Sequence, residues 1–284
     1  MASRSLPGGE GYSQAMTGGA ADAGTKITRL AAGGTVDADR YLSDLGLDAR
    51  RDERRILLNM ASTADGRATL GGRSAAIGGP ADRALFHALR GRADAVLVGA
   101  GTVRAERYGP LVPAAGARER RVARGLAPQP IACIVSGSAD LDPSLPLLAD
   151  GDSHVVVLTG GGGEVPPCAA QVDYVRAPAA QGGVDIAAAL GEVERRYDAR
   201  VVLCEGGPHL AAELLAAGLL GELWLTIGAR LAGDDPAAEA RRILAGRRFG
   251  EPIELDLLDV GRGESDLFLR YGVRSPAVSR ATTD

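Results

Sequence analysis

From Arg54 onward the chain alternates apolar runs of strand length with stretches of helical spacing, and this alternation narrows the fold more than any other feature. The runs are RRILLNMAS from Arg54, ADAVLVG from Ala93, PIACIVS from Pro130, HVVVLT from His154, VDYVR from Val172, RVVLCE from Arg200 and ELWLTIG from Glu222. Between them lie PADRALFHALRG from Pro80, VDIAAALGEVERRY from Val184, PHLAAELLAAG from Pro208 and PAAEARRILAG from Pro236, each read as a helix. Three of the four open on Pro, whose missing N–H costs nothing in a first helical turn, and three close on Gly. Such an order predicts an α/β sheet with helices on its faces. Two late segments, IELDLLDV from Ile253 and DLFLRYGV from Asp266, read as a closing antiparallel pair joined by Gly-rich turns. Gly160 to Pro167 and Ala114 to Pro130 read as the longest loops, the second with an Arg-rich middle.

Composition removes several function classes. A net charge of -4 and a pI near 5.5 argue against a nucleic-acid or anionic-membrane surface, so any phosphate recognised should belong to a small molecule. Cys133, Cys168 and Cys204 are odd in number and lack CxxC spacing, which favours buried thiols in a reducing compartment. His87, His154 and His209 are too scattered to assemble a zinc site. No apolar stretch is long enough to cross a bilayer. Residues 1–26 lack the apolar core of a signal peptide and read as a mobile tail. Residues 27–53 form an N-terminal extension with one short amphipathic segment, VDADRYLSDLG; the main domain spans 54–275 and a tail covers 276–284. The expected location is cytoplasmic.

Two turns carry the chemical signal. In VLVGAGTVRAE, from Val96 to Glu106, a strand runs into Gly-Ala-Gly-Thr and then into helical residues, so free backbone N–H groups face outward beyond the strand. This is not the GxGxxG dinucleotide fingerprint, because Arg104 stands at the third glycine position. Glu205-Gly206-Gly207-Pro208 repeats the design after RVVLCE. Two helix N-termini at neighbouring strand ends can hold a diphosphate without a basic surface, although two routine turns in a glycine-rich chain is the bland alternative.

The combination of NMASTADGRATLGGRS from Asn59, GPADRALFHALRGRADAVLVGAGTVRAERYGPL from Gly79 and the segment from Val201 to Gly233 closely resembles the pyrimidine reductases of riboflavin biosynthesis, the RibD C-terminal domain family, related in fold to dihydrofolate reductase. The resemblance runs from about Arg54 to Val273. It implies a dihydrofolate reductase-like three-layer fold with a mixed, mostly parallel central sheet and a C-terminal antiparallel hairpin. It also implies an NADPH-dependent oxidoreductase that converts a ribosylamino side chain on a phosphorylated pyrimidine to a ribitylamino group, working as a homodimer. The zinc deaminase signature that precedes this domain in many bacteria, H-x-E with P-C-x-x-C, is missing here. That leaves open a stand-alone pathway reductase, a paralogue reducing a pterin such as dihydrofolate, or a nucleotide-binding protein without catalysis.

Matched position by position, the resemblance gives Gly99, Gly101, Thr102 and Val103 to the first cofactor turn and Glu205, Gly206, Gly207, Pro208, His209 and Leu210 to the second. It suggests a cis peptide between Gly206 and Gly207. Glu106 matches an acidic position near the ribose, Ser136 the site of the adenosine phosphate, and Arg104 could add charge there. Asp65, in the ADGR turn, would lie near nicotinamide and substrate, and Asp82 near the pyrimidine ring. Hydride addition to an imine needs a protonated nitrogen, which suits a partly buried carboxyl of raised pKa. Asp65 also fits an ordinary Asp-Gly turn and Asp82 a helix first-turn acid. His87, one turn after Asp82, is expected on the same helix face, directed at the sheet. Arg118, Arg120, Arg121 and Arg124 could gather a substrate phosphate or form a solvated face.

Overall fold

A computed structural model describes residues 26–29, 34–47, 54–233 and 242–274. The chain opens with β1 (Lys26–Arg29), β2 (Thr35–Asp37) and α1 (Ala38–Asp44), followed by β3 (Arg55–Thr63) and α2 (Pro80–Arg90). Then come β4 (Ala95–Gly99), α3 (Ala100–Glu106), α4 (Ala115–Ala123), β5 (Ile131–Val135), β6 (His154–Thr159) and β7 (Gln171–Arg176). The remainder is α5 (Ile186–Tyr197), β8 (Val201–Cys204), α6 (Pro208–Ala216), β9 (Glu222–Gly228), β10 (Leu255–Gly263) and β11 (Asp266–Val273).

Among the described residues, eleven strands form one sheet in the order β2-β1-β10-β11-β9-β3-β8-β4-β5-β6-β7. From β9 to β7 every neighbouring pair is parallel, and from β9 outward to β2 every pair is antiparallel. This is the mixed, mostly parallel sheet with a C-terminal antiparallel hairpin that the pattern and the resemblance imply. The parallel strands read as unbroken apolar runs because both their faces are covered. Leu57 of β3, Val96 and Val98 of β4 and Leu203 of β8 join α1, α2 and α3 in one core, whereas Ile56, Leu58, Leu97 and Cys204 join α5 and α6 in the other.

Three sequence expectations change. The supposed loop from Ala114 to Pro130 contains α4; its Ala, Arg and Glu residues are good helix formers, and Gly116 in the first turn hides the pattern. The helix expected from Pro236 falls largely outside the described residues, and its described end, 242–246, is not helical. In the extension, β1 and β2 continue the sheet itself, and α1 begins at an Asp37 N-cap whose carboxylate accepts from Arg40 N at 2.8 Å.

Candidate active site

The parallel strands β3, β4 and β8 release their chains at the same sheet edge, so the turns after them meet there, as ligand-binding crevices of open α/β sheets do. Gly99 is the N-cap of α3 and Gly207 that of α6, and neither cap has a side-chain acceptor. The two turns are joined directly: Gly99 N–H donates to Gly206 O at 2.9 Å. The Gly206–Gly207 peptide is cis, and Gly206 has φ +87, a left-handed region that favours glycine. A Cβ added at Gly207 would lie 2.9 Å from Thr102 Oγ1, whereas one added at Gly101 would meet open space. The first turns of both helices thus present bare backbone and one hydroxyl to a shared cleft.

That cleft is lined by Gly101, Thr102, Glu106, Gly207 and Pro208 on the turn side and by Asn59, Ala61, Asp82 and Phe86 on the other. Asp82 Oδ1 accepts from the Thr226 hydroxyl at 2.6 Å. Burial pushes the Asp82 carboxyl above the usual carboxylate range and the charge of Asp266 adds to the rise; the Thr226 hydrogen bond and Arg83 oppose it. Asp65 stands elsewhere. Its exposed carboxylate accepts from Thr63 Oγ1 at 2.5 Å, Ala232 N at 3.0 Å and Gly233 N at 2.7 Å, and these bonds, Thr63's first, hold its pKa down. It fastens the turn after β3 to the segment after β9 and is not among the cleft's lining residues.

The other expected residues divide by what their side chains touch. Val103 and Leu210 point into the two cores, so only their backbones are available to a ligand. Glu205 is buried: Arg90 Nε and Nη2 donate to its two oxygens, each at 2.7 Å, and Tyr108 OH donates at 2.7 Å. Arg90 also lies over the Phe86 ring, 4.1 Å from its centroid. Burial, then Glu205, raises the Tyr108 hydroxyl well above its ordinary pKa, which keeps it a donor. Glu106 accepts from Ser74 N at 2.8 Å and Ser74 Oγ at 3.0 Å, pinning the loop over the cleft. Arg104 donates to Asp140 O at 3.2 Å, and Ser136 directly follows β5 with its N–H on Leu158 O; neither lines the cleft. His209 is exposed and packs against Gly246.

His87 is also exposed, against expectation. Five residues at 100° each place it about 140° around the helix from Asp82, whereas Phe86 lies about 40° away and shares its face. The Arg cluster serves the frame: Arg121 is buried and donates to the carbonyls of Arg90, Ala93 and Ala127, Arg118 to those of Val112 and Pro113, and Arg120 and Arg124 pair with Asp39. Sequence reading passed over Asn59, Ala61 and Phe86. Asn59 could have been found as the polar interruption of an apolar strand, and Phe86 by its place one turn after Asp82.

No curated protein matches the chain. Among solved structures, a pyrimidine reductase-like protein from Corynebacterium diphtheriae superposes with TM-score 0.67 at 23% identity, over 85% of this chain and 100% of that one. Acinetobacter baumannii RibD gives 0.61 at 23% identity over 78% of this chain, which spans 58% of that longer protein. The riboflavin biosynthesis reductase of Saccharomyces cerevisiae gives 0.60 at 19% identity over 83% and 98% of the two chains. These likenesses concern the fold. The model of the RibD C-terminal domain matches residues 54–266, which include both turns, Asp82 and the strands that carry them, and the chain therefore belongs to the RibD C-terminal domain family.

Proposed function

We propose that this protein is an NADPH-dependent reductase that reduces the ribosylamino side chain of a phosphorylated pyrimidine to a ribitylamino group, a step of riboflavin biosynthesis. One observation carries the reading: a carboxyl whose pKa is raised by burial, Asp82, faces the two uncapped glycine turns across a single cleft. The turns fit a dinucleotide because a side chain at Gly207 would crowd Thr102 and fill the cradle. Thr102 and the backbone around Gly99, Gly101, Val103, Gly206 and Gly207 would hold the diphosphate; Glu106 would stand near the ribose, with Arg104 and Ser136 toward the adenosine phosphate. When bound, NADPH supplies the hydride. Asp82 holds a proton at its carboxyl and gives it to the exocyclic nitrogen of the substrate, Thr226 orients that carboxyl, and Phe86 and Ala61 keep water from the ring. Asp65 acts from outside the cleft, by holding the turn after β3 in place. The same reading carries a cytoplasmic homodimer, for which the exposed Leu257 and Leu258 of β10 offer an apolar surface.

The partly buried Asp82–Thr226 pair also favours a second reading, reduction of a pterin, whose ring presents adjacent N–H donors to a carboxylate. Turnover followed by loss of nicotinamide absorbance separates the two. Consumption of NADPH with the phosphoribosylamino-pyrimidine supports the first; activity on dihydrofolate alone replaces it with the second. Cofactor binding without turnover of either substrate would leave a nucleotide-binding protein.

A further inference from the structure

Asp266 is the first residue of β11 and lies outside every motif that points to the cleft, yet it is buried and both carboxylate oxygens are committed. Oδ2 accepts from Gly79 N, the N-cap of α2, at 2.7 Å, and Oδ1 accepts from Ala229 N, just after β9, at 3.1 Å. Helix α2 carries Asp82, and β9 carries Thr226, its hydrogen-bond partner. One carboxylate thus bridges the two elements whose relative position sets the Asp82–Thr226 contact. The backbone around it has no slack, since a Cβ at Gly228 would overlap Ile77 O and one at Gly78 would overlap the Asp82 side chain. We propose that Asp266 is a positioning residue for Asp82: it ties the start of α2 to the end of β9 and fixes a negative charge beside the cleft carboxyl.

The charged and polar groups facing Asp82 can be named element by element. Arg83 is on its own helix, Thr226 on β9, and Glu264 and Asp266 on the hairpin, where Glu264 Oε2 lies 4.0 Å from a Cβ built on Gly79. Across the cleft stand Glu106 and Glu205, the latter paired with Arg90. Burial is the largest cause of Asp82's upward shift, and among these charges Asp266 adds to it while Arg83 subtracts. Both effects of Asp266, the tie and the charge, act through Asp82.

The inference rests on the reading of Asp82 as the proton-holding group of the cleft, and the experiment tests the two separately. Asp266→Asn retains the shape and an acceptor but removes the charge. Carbon-detected NMR titration of aspartate carboxyls, with the Asp82 signal assigned by its loss in Asp82→Asn, reads the site without substrate. Asp82 is expected to ionise at lower pH in Asp266→Asn than in the parent, with NADPH affinity unchanged within about twofold, and the high-pH fall of kcat/KM moves down with it. An Asp82 titration identical to that of the parent overturns the proposal, as does a uniform loss of activity with the pH profile unmoved. Should Asp266→Asn fail to fold, Asp266→Glu keeps the charge and displaces it by one methylene; the Asp82 titration must still move, and an unmoved one overturns the proposal. If the NMR titration moves and the parent turns over no substrate, the positioning role stands and the reductase reading falls.

Discussion

A carboxyl placed partly out of water costs free energy once it ionises, and at Asp82 the Thr226 hydroxyl offsets that cost only in part, since the net shift is upward. The sign for stability follows from linkage. A carboxyl whose folded pKa lies above its unfolded value binds more protons in the folded state, so its contribution is most favourable at low pH and declines as pH rises through the folded pKa. Asp82→Asn removes the ionisation while leaving an oxygen to accept from Thr226. The variant is therefore expected to melt higher than the parent at neutral and alkaline pH, with the difference shrinking under acid, and calorimetry across pH reads the trend. Its turnover should fall by about 10²–10⁴-fold, the usual worth of a positioned proton donor. A melting temperature below the parent's at neutral pH would contradict the burial argument. The thiols give a second prediction at this scale: Cys133 and Cys204 are buried, and burial pushes both up to about 12. Alkylation of the native protein near neutral pH should modify Cys168, which is partly exposed, and leave the other two unmodified until denaturant is added. Asp82 was legible through the family resemblance, which puts it near the pyrimidine ring, whereas its place in the first turn of a Pro-initiated helix fits an ordinary helix acid equally well. The role of Glu205 was not, since the partner that occupies it, Arg90, lies 115 residues away.

Between elements, the Arg90–Glu205–Tyr108 network joins the C-terminal turn of α2 to the turn after β8 and to the chain leaving α3. Arg90 and Glu205 side chains are 5% and 2% exposed, so each charge depends on the other for what water no longer provides. For Arg90, burial acts against the charge, and Glu205 and Tyr108 together more than reverse that. Arg90→Met leaves Glu205 buried without its cation, and removing one partner of such a pair costs about 3–5 kcal/mol. Urea denaturation should show a lower midpoint with an unchanged slope, and a loss under about 1 kcal/mol would show that Glu205 finds water on its own. Because α2 and the second glycine turn share this network, and Gly99 N–H of the first turn donates to Gly206 O, the same variant should weaken NADPH binding. Elements whose apolar residues follow one period were readable from the chain. Helix α4 was not, because its single buried residue is Arg121, a charged side chain that a hydrophobic pattern counts as surface.

For the molecule as a whole, the N-terminal segment is the part that sequence patterns described least, since a strand as short as β2, three residues long, carries no period. Its placement rests on contacts distant in sequence. β1 pairs with β10, covering an edge that the hairpin would otherwise leave open. Tyr41 OH donates to Asp259 Oδ2 at 2.6 Å in the core. Asp39 accepts from the buried Arg92 at 2.7 Å and lies 3.0 Å from Arg120 and 3.6 Å from Arg124. These attachments differ in worth. The pairs with Arg120 and Arg124 are partly exposed and screened by salt, whereas the Arg92 bond joins a side chain that is 3% exposed. Asp39→Ala is accordingly expected to cost about 1.5–3 kcal/mol, mostly through Arg92, and Arg120→Ala less than about 1 kcal/mol. Removing residues 1–53 should have a different consequence. The parallel core from β9 to β7 keeps all its pairings, but β10 loses β1 and becomes an edge strand with Leu255, Leu257 and Leu258 exposed beside it. An open apolar edge templates further pairing, so the truncated protein should remain folded by circular dichroism yet associate with rising concentration in sedimentation velocity. If it instead sediments as the parent does at every concentration, then β1 is dispensable as an edge cover and the extension contributes through the packing of Ile27, Tyr41 and Leu42 and the bonds of Tyr41 and Asp39.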